Sequence, residues 1–495
     1  TINDPTTITA KLRQGVHWQN KAPVNGREFT ADDVVFHYNR LLGTGSGYIY
    51  PALMYGGMTA TWDRVTAIDK YTVVFKFKQP SAQNFQTIAD NFALNEMDAP
   101  EWVALGGPPK NEPPAPGGAP VGGGGGPPPS PPPASGPLAD WKSVVGTGPW
   151  MLTDFVSGSS FKFSKNPDYW GKDPRYPQNQ LPYADTLTLL VIPDGSTRLA
   201  AITTAKVDVL GAGNNTALNW QQAQQLSKTN PYLQQQKVPA GASGIGLKVN
   251  EKPFTDIRVR QALDMAINRP AIAQGYYGGT SSQDSVGLFT STYAGIAYAY
   301  ADWPQSLKDQ YAYNPTGAKK LLADAGYPNG FDTNVVTTND ANGLQLMQVF
   351  QSYFSDIGVK MEIRPMDSAA EQAFTRDGKH DQMSAHAFAY IMPPTRVMDV
   401  FYSKGGSDAV FYGLDKVPDT KYDTLHDNFI AATDSTTAMQ LLQSMDKHVI
   451  EQHYVIAAPE SYNFNIWLPT LKGYSGENLG WGQGLTLSRL WTTNK

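Results

Sequence analysis

Residues 11–42, KLRQGVHWQNKAPVNGREFTADDVVFHYNRLL, join a strand, a tight turn and a capped amphipathic helix, and this unit commits the chain to mixed α/β structure. Thr30 precedes the helix and Asp33 follows three residues later, the spacing of a reciprocal cap in which each side chain reaches the other's backbone amide. Val34, Val35, Tyr38, Leu41 and Leu42 recur at helical spacing and predict one buried face, with Asp32, Asn39 and Arg40 on the other. A strand is expected at 71–78, YTVVFKFK, where a β-branched run passes into Phe and Lys in alternation.

At 495 residues the chain exceeds what one hydrophobic core supports, so two or three subdomains are expected. Between 106 and 137, 23 of 32 residues are Pro or Gly without a sustained G-x-y period, which rules out collagen and a packed core and marks a surface insertion. Two readings of it stay open, an inert loop and a polyproline spacer that binds a neighbour. Beyond it, short strands at 160–164 and 187–192 and a helix at 197–204 continue the α/β pattern, and residues 220–236, WQQAQQLSKTNPYLQQQ, read as an exposed helix and a strand. GASGIG at 241–246 holds five small residues of six and suits a crossover between lobes. Lobe I is therefore drawn at 1–245, lobe II at 246–460 and a return segment at 461–495. Lobe II is expected to begin with a strand at 247–250 and a helix from Asp256 or Ile257 to Asn268. Asn314 and Pro315 start another helix that Gly326 ends. Helices with Met347, Phe350 and Phe354, and with Leu441, Met445 and Val449, alternate with strands at 359–363 and 454–458.

The chemistry that composition permits is narrow. With 39 basic and 44 acidic residues the net charge is -5, which supplies no basic field for nucleic acid. Zero cysteines remove disulfides, thiolate chemistry and cysteine metal sites. No apolar run is long enough to cross a bilayer. HExxH, P-loop and G-x-S-x-G motifs are absent, and no cofactor is implied. His448 and His453, like His380 and His386, are spaced too far apart to share one helix face as metal ligands, so core or solvated histidines are expected.

The pattern L-R-x-G-V-x-W followed by G-x-x-F-T-A-D-D-V-V-F resembles the signature of family 5 extracellular solute-binding proteins. So do GTGPW at 146–150, NPDYW at 166–170, IPDGSTRLAA at 192–201, VDVL at 207–210, NEKPFTDIRVRQALDMAINR at 250–269, NPTGAKKLLADAGYPNG at 314–330 and FSDIGVKMEI at 354–363, in the family's order. The resemblance implies a two-lobed periplasmic-binding-protein-like fold of class II, with an extra subdomain in lobe I and the family's first strands missing ahead of residue 11. It implies an extracytoplasmic receptor that closes on a small molecule or peptide and delivers it to the membrane subunits of an ABC importer, without catalysis. In the peptide receptors of this family an aspartate shortly before a characteristic proline pairs with the ligand's amine. Pro394 resembles that proline, and Tyr390 falls where the aspartate would stand, with Asp399 as a shifted alternative. A phenol there favours a neutral ligand, a sugar, an amide or a capped peptide, against the family's bias toward free peptides. Loop aromatics add Trp481, Tyr48, Tyr50 and Trp303 to the candidate ligand contacts, with Phe388 beside Tyr390. A rival reading keeps the fold but makes it an envelope assembly protein that self-associates through 106–137. A glycosidase or peptidase is the least supported.

Overall fold

The computed structural model describes residues 2–4, 6–44, 61–81, 84, 85, 88, 97–106, 140–211, 218–291, 293, 295–388, 397–477 and 484–493. The helix at the start of the chain, α1 (Ala31–Leu42), opens with the Thr30 N–H donating to the Asp33 carboxylate at 2.9 Å and stops at Gly43, whose φ of 70° is left-handed. Asp33 is buried and takes two further N–H groups from Arg27, at 2.6 and 2.9 Å, while Arg27 also pairs with Glu101. Val34, Tyr38, Leu41 and Leu42 pack onto an antiparallel sheet of β1 (Ile2–Asp4), β2 (Thr7–Lys11), β3 (Trp62–Asp69) and β4 (Thr72–Phe77), in spatial order β1-β2-β4-β3. Asn39 corrects the helical-face reading: it is buried because its amide donates to the Val65 carbonyl at 3.1 Å, while Val35 is only half-buried.

Next come the sheet of β5 (Trp150–Val156), β6 (Ser160–Lys165) and β9 (Thr186–Leu190), and the small hairpin of β7 (Lys172–Asp173) and β8 (Tyr176–Gln180). The Pro/Gly-rich insertion lies outside the described residues, apart from Gly106. A second core forms where α2 (Gly195–Thr203), β10 (Val209–Leu210) and α3 (Trp220–Thr229) bring Ile202, Leu210, Ala223 and Leu226 against Ile466.

GASGIG is not a loop. It lies inside β11 (Gln234–Leu247), a single strand of 14 residues, and the strand expected at 247–250 is already over at Leu247. The first half of β11 pairs with β16 (Ser461–Trp467), from Gln234 opposite Trp467 to Gly241 opposite Ser461. The second half lies between β14 (Met383–Phe388) and β15 (Val455–Ala457). Because β15 and β16 are consecutive, β11 has one long antiparallel companion; the Ala458 N–H still donates to the Ser243 carbonyl at 2.8 Å, and the interruption falls at 459–460 beside a register shift between Pro239 and Gly241. The glycines serve close approach: a Cβ on Gly244 would lie 2.5 Å from the Ile456 carbonyl oxygen, and Gly241 holds a φ of 82°.

On the far side of β14 the sheet continues into β12 (Phe331–Thr338) and β13 (Val359–Met366), which pair in parallel. The helix expected over 256–268 is α4 (Ile257–Met265), which stops three residues early, and a second helix, α5 (Arg269–Gly275), follows it. Asn268 caps the second by accepting from the Ala271 N–H at 3.0 Å, and Pro270 occupies its first turn. With α6 (Pro315–Asp324), α7 (Ala341–Asp356), α8 (Thr420–Ala431) and α9 (Ser435–Gln452) they enclose the largest core, which includes Leu263, Val335, Phe350, Phe354, Met445 and Ile456. Among the described residues no helix is long and apolar enough to cross a membrane.

Within α9, Asp446 is buried and accepts backbone N–H groups from Leu288 at 2.5 Å, Tyr298 at 2.6 Å and Phe289 at 3.4 Å. Burial outweighs those bonds and pushes its carboxyl from 3.8 up to about 7. Between those values the folded state keeps a proton that the unfolded chain releases, so this contribution is full below 3.8 and is lost as pH rises to about 7. Asp446→Asn is therefore expected to lose less stability than the parent between those two pH values, as read from urea midpoints across the range. Arg27→Met, which leaves the buried Asp33 without its cation, is expected to cost about 2–3 kcal/mol in the same assay.

Candidate functional site

A cavity of about 380 Å³ opens where the ribbon is interrupted, within the usual size range of small-molecule sites. Ser243 and Gly244 of β11 and Ser461, Tyr462 and Asn463 of β16 form its floor. One wall is the start of α3. There Asn219 accepts from the Gln222 N–H at 2.9 Å and the Gln222 side chain accepts from the Asn219 N–H at 3.2 Å, which fixes Trp220 at the first helical position. The facing wall is Tyr276 and Tyr277, just past α5, with Thr337 and Thr338 at the end of β12 and the first turn of α7. Trp220 spans the two walls: its indole N–H donates to the Tyr276 carbonyl at 2.8 Å.

The lining is polar and nearly uncharged. Among its described residues Asp340 is the one ionisable carboxylate, and there is no His, Lys or Arg. Asp340 caps α7, accepting from the Gly343 N–H at 2.9 Å and from the Thr338 hydroxyl. Burial first, and then the Asp340 charge, raises the pKa of Tyr276; burial and then Glu460 do the same for Tyr462, so both phenols stay protonated. Thr337 is 1% exposed and its hydroxyl has no hydrogen-bond partner among the described residues. An unmet buried hydroxyl costs on the order of 1–3 kcal/mol. Behind the floor, the buried Glu460 accepts from the Ser291 N–H at 3.3 Å. No group of three His, Cys, Asp or Glu side chains among the described residues could hold a metal ion.

Of the ligand contacts anticipated from sequence, Trp303 is the one whose side chain is described, and it does not line this cavity. Tyr390, Trp481, Tyr48, Tyr50 and Pro394 lie outside the described residues. The backbone of Phe388 ends β14 opposite Ala242. Trp303 is corrected to a core residue: it is 3% exposed, packs with Leu307, Tyr311 and Ile450, and donates its N–H to the Tyr298 carbonyl at 2.9 Å. Asp399, the alternative carboxylate, lies 2.8 Å from His426. Sequence reading passed over Trp220, although an Asn-Trp-x-Gln cap and the Gly278-Gly279 pair after two tyrosines were both visible.

This architecture, two lobes joined by a ribbon with a cavity at the crossing, is that of a binding protein that grips a solute between lobes. Over 99% of its length the chain superposes, with a TM-score of 0.74 and 22% identity, on 87% of the periplasmic binding protein DppA from Helicobacter pylori, solved with the peptide STSA. It is 25% identical to the heme-binding protein A of Haemophilus influenzae over 97% of this chain and 80% of that protein. To the dipeptide-binding protein of Escherichia coli it is 26% identical over 76% of this chain and 64% of that protein, less than two thirds of the latter's length. Residues 1–409 match the bacterial extracellular solute-binding proteins, family 5, and the chain belongs to that family.

Thr337→Val removes a hydroxyl that has no partner among the described residues and is expected to raise stability by about 1 kcal/mol, read from urea midpoints.

Proposed function

We propose that this chain is an extracytoplasmic receptor that captures a neutral, hydrogen-bonding oligomer, peptide-like or otherwise, in the crossover cavity and presents the closed form to the membrane subunits of an ABC importer. The observation that carries this reading is a cavity walled from both sides of the crossing by uncharged polar groups, among them Asn219, Gln221, Thr337, Ser461 and Asn463. A solute that touches both walls stabilises the arrangement in which the walls are close, so binding is a shift of population toward closure. The named ligands of the relatives, heme, dipeptide and the peptide STSA, differ among themselves. The chemistry of the wall is therefore the better guide to the solute. Asp340 has both carboxylate oxygens engaged at the start of α7, and Tyr390 offers a phenol where the family resemblance places an amine-binding acid. Away from Asp340, an ammonium enclosed without a counter-charge would cost several kcal/mol. The proposed activity is capture and release without turnover.

Mass spectrometry of the solute released on denaturing the purified protein is expected to show an intact molecule without a free amino terminus. Calorimetry with one peptide in free-amine and acetylated forms is expected to give dissociation constants within about threefold of each other. A preference of tenfold or more for the free amine would sink the neutral-ligand reading.

A further inference from the structure

Trp220 belongs to one lobe by its helix and to the other by its ring. Behind it, Ala223 and Leu226 of α3 are buried against Ile202 and Ile466. In front, the indole N–H reaches the Tyr276 carbonyl at 2.8 Å, and the ring lies against the turn that follows α5. A Cβ on Gly278 would come within 2.5 Å of Trp220 Cδ2 and 2.6 Å of Cε2 and Cε3, so the ring sits where only a glycine leaves room. Gly278 also holds a φ of 58° and Gly279 one of 74°. The turn is fastened to its helix by the Gly279 N–H bond to the Ala273 carbonyl at 2.8 Å and the Tyr277 N–H bond to that of Ile272 at 3.1 Å. Ile272 and Ala273 are buried, so the seat is rigid. Trp220, Tyr276 and Tyr277 are all part of the cavity wall.

We propose that Trp220 is the positioning residue that couples occupancy of the cavity to closure of the lobes, its indole acting as a clasp on the Gly278 turn. The role rests on the reading of this cavity as the solute site. When the lobes part about the interrupted ribbon, the hydrogen bond and the ring seat are lost together and the wall opens. Closure restores both before any solute contact is counted. Weakening the clasp lowers the closed fraction of the free protein, and apparent affinity falls by the same factor.

The test is small-angle X-ray scattering of the full chain, stripped of solute by unfolding and refolding, for the parent, Trp220→Phe and Trp220→Ala. Phe keeps an aromatic ring but lacks the N–H; Ala removes both contacts. The expected result is a radius of gyration that rises in the order parent, Phe, Ala, while amide exchange at Ala223 and Leu226 stays as slow as in the parent. Equal radii would overturn the proposal, and so would an increase accompanied by lost protection at those two amides, which would make Trp220 a folding residue. No ligand enters the measurement, so its failure is distinct from a failure of the neutral-ligand reading, which calorimetry decides.

Discussion

The two lobes are tied by backbone hydrogen bonding along one strand. β11 runs the whole length of the crossing, and the chain from Val455 to Trp467 runs back along it, so each lobe's sheet is completed by a strand that also enters the other. The ladder resumes on either side of 459–460, where Pro459 has no N–H to offer and the register shifts between Pro239 and Gly241. A ribbon that is paired at both ends and unpaired in the middle resists separation of the lobes but bends most easily at its break. The cavity lies at that break, floored by residues on both sides of it.

Around the ribbon, buried and half-buried carboxylates fasten irregular segments to helices. Asp264 accepts from Arg269 at 2.5 Å and lies 2.6 Å from His453, while Arg269 donates to the Ala457 carbonyl at 3.0 Å, which joins α4, α5 and the end of β15 in one network. Asp419 caps α8 and also holds His448 at 2.6 Å and the Tyr454 hydroxyl at 2.5 Å. Burial alone would raise the Asp419 carboxyl, but these bonds outweigh it and hold it at about 2. Each acid has several donors, which is the condition under which a buried charge is tolerable. His453 has the buried Asp264 as its partner and His448 the half-buried Asp419, so each imidazole faces a carboxylate.

The elements that could be read from the chain were those whose signal is local. The cap at Thr30, the helix after Asn314 and the strand at Thr72–Phe77 each depend on a few neighbouring residues, and each stands where the pattern placed it within a residue or two. The family was legible for a related reason, since its blocks are short and keep their order. The crossover was half-legible: five small residues suggested looseness, whereas Gly244 is small because Ile456, more than two hundred residues later, comes too close for a side chain. The cavity was not legible. Trp220, Tyr276, Thr337 and Ser461 come together only through long-range pairing of β11, and a tryptophan in a glutamine-rich helix carries no local mark of the glycine that seats it. Trp303 misled because an aromatic in a loop and an aromatic beneath one look alike in sequence.

The route of the ribbon also sets an order of assembly. Most of the largest core lies between Leu247 and Ala458, so that lobe has nearly all its partners once Ala458 has been synthesised. The sheet that holds β10 cannot be completed until Trp467 exists, because β16 lies between β10 and β11 and Ile466 fills the core beneath them. Until then residues 234–241 of β11 have their first-lobe edge unpaired, an open template for any other strand. A nascent chain therefore carries an unfinished first half behind a nearly finished second one, and whatever shields that edge in the cell has to do so for as long as it takes to make the last two hundred or so residues.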